Sequence, residues 1–166
     1  MKRALIAIVD AAHARLYTYE QIGDNEPTLY EQRDLVNAGR QAHAGSMFSD
    51  RKPGNRWQEG GRGSTDDHRM DHIAELDARF AKLVVNEATR IVSEEGFHHV
   101  ILVASPKMLG ELRRADAPLR RGDIIIDEVA QDLAWLTSPQ IHDHLAAMKL
   151  VDPRPRIALQ RGARTR

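Results

Sequence analysis

Apolar and polar residues along the first part of the chain follow the patterns of β-strands. Ala4–Val9 is a continuous apolar run, and Arg15–Tyr19 alternates between polar and apolar positions. Thr28–Val36 has isolated apolar residues among polar neighbours. The connection Asp10–His13 is short enough for a tight turn. The pattern therefore predicts an N-terminal antiparallel meander of three strands.

The segment 37–66 has a different character, with six glycines, three serines and a proline but hardly any apolar residue. Because such a segment contributes little to a core, we expect a long, mobile surface loop. Its charge is mainly basic. The basic residues are Arg40, Arg51, Lys52, Arg56 and Arg62, and the acidic ones are Asp50, Glu59 and Asp66.

Apolar residues recur every three or four positions from Met70 to Glu95, which predicts a long amphipathic helix. Gly96 supplies the usual C-terminal signal. The apolar stripe consists of Ile73, Leu76, Phe80, Leu83, Val84, Ala88, Ile91 and Val92.

The run Val100–Ala104 is too short for a helix and rich in β-branched residues, so it predicts a strand buried on both faces. Ser105 and Pro106 follow as the N-cap and first-turn proline of a helix. Ile124–Ile126 begins another strand, and Ser138-Pro139 predicts the start of a last helix. A buried strand that runs into a capped helix is typical of α/β folds.

These elements predict one α/β domain over residues 1–151, in which helices pack on a mixed β-sheet. Residues 152–166 carry five arginines and two prolines against one aspartate, which predicts a flexible basic tail. Trp135 lies beside Leu133 and Leu136, and we expect its side chain in the core.

Composition narrows the classes of function. The chain has 24 basic residues, 24 acidic residues and no cysteine. Without cysteine, disulfides, zinc–thiolate sites and thiol nucleophiles are excluded. The first apolar run is too short for a signal peptide, and no stretch approaches the length of a membrane span. We therefore expect a cytoplasmic protein or one that leaves the cell without a Sec signal.

The Gly-rich segment before the long helix is a candidate binding site. The backbone amides of Gly60–Thr65 and the helix N-terminus are suited to hold a phosphate, and Trp57 can stack on a base or anchor a protein partner. The segment lacks the Gly-Lys-Ser/Thr ending of a P-loop, so nucleotide hydrolysis is not expected. The alternative is a plain linker with Trp57 folded back as its apolar tether. The candidate RNA- or anion-binding residues are Arg51, Lys52, Arg56, Trp57, Gly60, Gly61, Arg62 and Gly63.

Two metal-site hypotheses are weaker. His68 and His72 share a helix face, but acidic residues beside them also complement a helix dipole. Asp10 together with Asp127 or Asp132 would resemble a two-metal nuclease centre, whereas Asp10 alone can hydrogen-bond its own turn. We predict no metal, no cofactor and no catalytic residue.

The remaining histidines and basic residues can be explained without a binding role. We expect His98, His99, His142 and His144 to be surface or half-buried residues. The basic residues around the second helix form either a phosphate-binding face or ordinary solvated helix ends. They are Lys107, Arg113, Arg114, Arg120 and Arg121.

Four segments together resemble a known family. They are Asp10–Leu16, Ser49–Arg51, Leu102–Arg113 and Asp127–Leu133. From about residue 3 to about residue 150, the chain is similar to the bacterial host attachment proteins, which are described as required for attachment to host cells. This resemblance implies a phenotype and leaves the biochemical activity open.

The order of elements also resembles the central domain of archaeal and eukaryotic class 1 release factors, which implies an RNase H-like fold. In that domain a Gly-Gly-Gln loop precedes a long helix and enters the peptidyl-transferase centre. Here Gly60-Gly61-Arg62-Gly63 has a comparable place, with Arg62 where the glutamine would be. The resemblance therefore implies that the water-positioning amide is missing, although an arginine still suits phosphate.

Three function hypotheses follow. The leading one is a non-enzymatic module that binds tRNA or the ribosome through the basic Gly-rich loop and affects attachment indirectly. The second is a protein–protein adaptor in surface attachment that uses the loop or the arginine tail. The third is a metal-dependent phosphoesterase or nuclease.

Overall fold

A computed structural model of the protein describes residues 2–23, 26–42 and 64–155. Its strands form one mixed five-stranded sheet with helices on both faces, which confirms the predicted α/β class. The finer RNase H-like assignment stays a prediction. The strands are β1 (Lys2–Val9), β2 (His13–Gln21), β3 (Thr28–Val36), β4 (His99–Ala104) and β5 (Ile125–Ala130).

The sheet has the strand order β3-β2-β1-β4-β5. β1 pairs antiparallel with β2, and β2 pairs antiparallel with β3, so the predicted meander is confirmed. β4 lies parallel to β1, with Leu5 opposite Val100, and β5 lies parallel to β4. The central strands are the most apolar because helices cover both of their faces.

The longer helices of the described residues are α1 (Ser64–Glu95), α2 (Pro106–Ala115) and α3 (Ser138–Ala147). α1 and α2 pack on one face of the sheet, and α3 packs on the other. α1 begins six residues before the predicted Met70, and residues 38–42 are helical where a loop was expected. Predicted loop residues at both ends of the Gly-rich segment therefore belong to helices.

Local signals start and end these helices. Ser105 caps α2 by accepting a hydrogen bond from the N–H of Met108 at 3.4 Å, as predicted. Gly96 ends α1 with a left-handed φ of 67°, also as predicted. The cap of α3 is Thr137 rather than Ser138, because Gln140 accepts a hydrogen bond from the Thr137 N–H at 2.9 Å in a capping box.

The long helix is buried along only part of its length. From 68 to 76 its side chains are exposed or half-buried, and its fully buried positions begin at Asp77. Leu83, predicted to face the core, is exposed because Phe80 and Val84 set the direction of the buried arc. Residues 68–76 of α1 therefore contribute no fully buried side chain to the core.

The chain stays attached to the fold after α3. Val151 is buried, and the Asp152 N–H donates a hydrogen bond to the Tyr19 hydroxyl at 2.9 Å. Arg154 pairs with Asp143 of α3. Residues 156–166 lie outside the described residues, so the division into a domain and a basic tail stays a prediction.

Candidate functional site

The carboxyl ends of β1, β4 and β5 lie at one edge of the sheet, because these three strands are parallel. β1 leads there into Asp10, β4 into Ser105 and β5 into Gln131. In open α/β sheets, ligands bind preferentially outside the carboxyl ends of strands. This carboxyl edge is therefore the first candidate for a binding site.

Residues 37–42, here called the loop stem, lead from β3 into the predicted Gly-rich loop at this edge. The N–H of Asn37 donates to the carbonyl of Ala12 in the β1–β2 turn at 2.7 Å, which fixes the start of the stem. The stem then lies against α1. A Cβ on Gly39 would stand 2.4 Å from a methyl carbon of Leu76, so glycine permits this close approach.

A buried carboxylate joins the loop stem to both helices of this face. Asp77 of α1 has a side chain only 3% exposed. It accepts two hydrogen bonds from the Arg40 guanidinium, Nε to Oδ1 at 2.8 Å and Nη2 to Oδ2 at 3.0 Å. The ammonium of Lys107 in α2 lies 3.2 Å from the same Oδ2. These three residues are called the basic stem cluster below.

The basic stem cluster is net positive, because two cations share one carboxylate. The bidentate bond holds Arg40 in one orientation. The Lys107 side chain is 64% exposed and lies in the first turn of α2, where the helix dipole also favours an anion. The cluster is therefore suited to bind a phosphate or carboxylate group.

Sequence reasoning identifies Arg40 and Lys107 as basic residues but misses Asp77. A signal for it exists, because Asp77 stands three residues before Phe80 and seven before Val84, on the apolar stripe of α1. A carboxylate at a core-facing helix position indicates a buried ion pair, since acids are almost never fully buried without a partner.

The predicted loop-site residues are not placed by the structure. Arg51, Lys52, Arg56, Trp57 and the glycines 60, 61 and 63 with Arg62 all lie outside the described residues. Their assignment as a binding site stays a prediction, and the loop stem shows only where the segment leaves the fold.

The carboxylates considered as a nuclease centre have other partners. Asp10 accepts two backbone N–H bonds from its own turn, both at 2.6 Å. Asp127 lies 2.7 Å from His99, and Asp132 accepts an N–H bond within its own loop at 3.2 Å. Within residues 2–23, 26–42 and 68–155, no three His, Asp or Glu side chains are grouped to hold a metal ion. The paired histidines of α1, His68 and His72, are both exposed.

Three of the five basic residues around α2 each contact a carboxylate. The pairs hold the guanidinium groups against their own domain and offset their charge. They are Arg113–Glu128, Arg114–Glu111 and Arg120–Asp116.

Besides Leu83, two further predictions of burial or exposure are wrong. Trp135, expected in the core, is 77% exposed, because Leu133 takes the buried position and the indole N–H donates to the carbonyl of Asp132 at 3.1 Å. His142, expected at the surface or half-buried, is buried. Its Nε2 lies 2.9 Å from the carbonyl oxygen of Asp152, and its ring meets Tyr19 edge to face at 5.7 Å between centroids. A signal for this burial exists in the sequence, because His142 stands three positions before Leu145 of the apolar stripe of α3.

Every helix in the described ranges is too short or too polar to cross a membrane. A search of curated proteins found no match to the chain. The family described as protein required for attachment to host cells matches residues 5–145, which is most of the chain. The chain therefore belongs to this host attachment family.

Proposed function

We propose that this host attachment protein is a non-enzymatic RNA-binding module that associates with tRNA or the ribosome. One observation carries the proposal. Arg40 of the loop stem and Lys107 of α2 share a single buried carboxylate, that of Asp77, at the carboxyl edge of the sheet, where α/β proteins bind ligands. Attachment to host cells is then an indirect consequence of this binding, and the proposal requires a cytoplasmic location.

RNA is favoured over a small anion because of what the loop carries. Arg51, Lys52, Arg56 and Arg62 add basic groups, and Trp57 adds an aromatic surface. Cationic grooves combined with aromatic side chains are the usual means of binding single-stranded nucleic acid. The proposed relationship to the release-factor central domain adds that Gly60-Gly61-Arg62-Gly63 precedes α1, as the Gly-Gly-Gln loop precedes the long helix there.

The test is binding of the purified protein to total tRNA and 70S ribosomes at two salt concentrations. We expect binding that weakens with salt, and a loss of about tenfold or more in the double variant Arg56→Glu and Arg62→Glu, because phosphate contacts release counterions. The matched control is Arg79→Glu with Arg114→Glu, which changes the charge equally on exposed arginines of α1 and α2. The proposal fails if the wild type does not bind, or if both double variants lose the same affinity.

A change in the basic stem cluster should weaken tRNA binding less than the loop double variant does. Lys107→Ala removes one exposed ammonium and should weaken tRNA binding by about threefold to tenfold, with the salt dependence reduced by roughly one contact. Lys82→Ala removes an exposed lysine from α1 as the control. Equal effects of the two variants would show that only bulk charge matters.

A second candidate function, a protein–protein adaptor in attachment, is favoured by Trp135. Its exposed indole is held by a hydrogen bond to the carbonyl of Asp132. The Trp135 side chain would therefore lose little conformational freedom when a partner binds to it. Trp135→Ala should abolish capture of envelope or signalling proteins and leave tRNA binding unchanged. If Trp135→Ala leaves protein capture intact, the adaptor candidate loses its support.

A further inference from the structure

Two acidic residues are buried in the part of the chain that the structure describes, and their partners differ. Asp116 accepts a hydrogen bond at 2.8 Å from Arg120, four positions further along the chain. Asp77 of α1 instead bonds to Arg40 of the loop stem and lies beside Lys107 of α2. A buried ion pair is weak evidence of added stability, because desolvation offsets its attraction. What the Asp77 contacts do achieve is to join α1, α2 and the loop stem at one point.

The loop stem is fixed at a second point close to Arg40. Asn37 is buried, and its side-chain amide donates a hydrogen bond to the carbonyl of Ala11 in the β1–β2 turn at 3.0 Å. The N–H groups of Arg40 and Gln41 donate to the Asn37 carbonyl at 3.0 and 3.2 Å, so these residues form one helical turn. Because the β1–β2 turn holds one end of this helical turn and Asp77 holds the other, Arg40 has a defined place on the carboxyl edge.

The three charges of the basic stem cluster differ in depth. The Asp77 side chain is 3% exposed, whereas those of Arg40 and Lys107 are 24% and 64% exposed. A ligand that approaches from solvent therefore meets the two cations before the carboxylate. Arg40 and Lys107 come from separate segments, and their like charges repel each other. The buried carboxylate offsets this repulsion, with both cations within 3.2 Å of its oxygens.

We infer that Asp77 is a positioning residue of the proposed RNA site, which holds Arg40 and Lys107 together so that one phosphate group can contact both. The inference rests on the proposed function and adds to the site a residue of the opposite charge. Preorganised cations bind more tightly, because less side-chain freedom is lost on binding. Charge alone predicts the reverse, since a carboxylate repels phosphate. The sign of the effect of Asp77 on RNA binding therefore separates positioning from charge.

The test is tRNA binding by Asp77→Asn, which makes the site one unit more positive. We expect the affinity to fall by about threefold to tenfold, because the two cations are no longer held together. The dependence of affinity on salt should stay unchanged, because neither cation is removed. Asp116→Asn is the matched control: it removes the same charge at the other buried carboxylate and should leave tRNA binding unchanged or slightly stronger.

Arg40→Lys is a milder variant that keeps the net charge. Lysine cannot make the two-point bond to a carboxylate, so we expect a smaller loss of tRNA affinity than in Asp77→Asn. Combining Lys107→Ala with Asp77→Asn tests the coupling directly. Lys107→Ala should weaken binding less in the Asp77→Asn background than in the wild type, because Lys107 is no longer held beside Arg40 there.

Amide hydrogen exchange gives a readout without RNA. The amides of Arg40 and Gln41 should exchange faster in Asp77→Asn and in Arg40→Lys, but not in Asp116→Asn. If Asp77→Asn does not fold, Arg40→Lys decides by the same two measurements.

The outcomes separate this inference from the proposed function. The inference alone is overturned if the wild type binds tRNA and Asp77→Asn binds it as tightly or more tightly, or if Asp116→Asn loses the same affinity. Unchanged exchange of the stem amides in Asp77→Asn overturns it as well. A wild type that does not bind tRNA at either salt concentration overturns the proposed function, and the inference with it.

Discussion

The two faces of the sheet are held by different kinds of interaction. Under α1 and α2, the core consists of aliphatic side chains, two phenylalanines and a methionine. Under α3, two tyrosines join the aliphatic side chains, and their hydroxyl groups bond to polar partners. The hydroxyl of Ser138 lies 3.5 Å from the Tyr17 hydroxyl, and Tyr19 bonds to Asp152. The first core is apolar, with the buried Asp77 bonded to Arg40 beside it, whereas in the second core the tyrosine hydroxyls themselves hold a helix and the chain beyond it.

The largest expected loss of stability comes from a cavity in the apolar core under α1 and α2. Leu112 of α2 is fully buried, so Leu112→Ala should lower the free energy of unfolding by about 2–5 kcal/mol. Leu83→Ala makes the same chemical change at an exposed position of α1 and should cost less than about 1 kcal/mol. Urea denaturation of both variants measures the difference. Equal losses would mean that packing does not dominate this face.

A smaller effect is expected for the hydrogen-bonded face. Tyr19→Phe removes the hydroxyl that accepts the Asp152 N–H at 2.9 Å and donates to its carboxylate at 3.2 Å. Loss of these bonds from a buried site should cost about 1–2 kcal/mol, and the Asp152 amide should exchange faster. Tyr30→Phe, at an exposed tyrosine, is the control and should be nearly neutral. If Tyr19→Phe is also neutral, directional bonds do not distinguish the two faces.

The smallest expected loss of stability comes from the Arg15–Glu31 ion pair, and it depends on pH. The hydrogen bond donated by Arg15 lowers the pKa of Glu31 from its ordinary value of 4.5. A lowered folded-state pKa stabilises the fold above the ordinary value, and this contribution is lost as the pH falls through the folded pKa. Glu31→Gln should therefore cost less than about 1 kcal/mol at neutral pH, because the pair is partly exposed, and almost nothing in acid.

The measurement is the difference in unfolding free energy between wild type and Glu31→Gln from neutral pH down past the ordinary pKa of a glutamate. Added salt serves as the control, because it should shrink the difference at neutral pH. If the difference in unfolding free energy does not change with pH, the bond from Arg15 does not stabilise the ionised form of Glu31.

Local signals in the sequence predicted much of the fold. The meander, the cap of α2 at Ser105 and the end of α1 at Gly96 each depend on a few neighbouring residues, and all three are confirmed. The exposure of Trp135 was missed because the segment offers two positions for the core, and Leu133 takes it. The spacing of His142 to Leu145 indicates a core-facing position, but the contact with Tyr19 of β2 that accompanies the burial of His142 is a tertiary one.

The candidate site was predictable in part. The basic character of Arg40 and Lys107 is visible in the sequence, but they are 67 positions apart, and only the fold brings both to Asp77. The pairing of Arg113 with Glu128 was likewise invisible, because Glu128 comes from β5. The pairs Arg114–Glu111 and Arg120–Asp116 are three and four positions apart, so the sequence alone indicates them.

The position of β1 in the sheet has a consequence for synthesis on the ribosome. β1 to β3 can form their meander as soon as they emerge, but β4, the parallel neighbour of β1, ends only at Ala104. At about 5–20 residues per second, the apolar faces of the nascent meander wait roughly several seconds for α1 and β4. During that interval the open side of β1 is an exposed strand edge, at which unpaired N–H and C=O groups can pair with another chain until β4 is made.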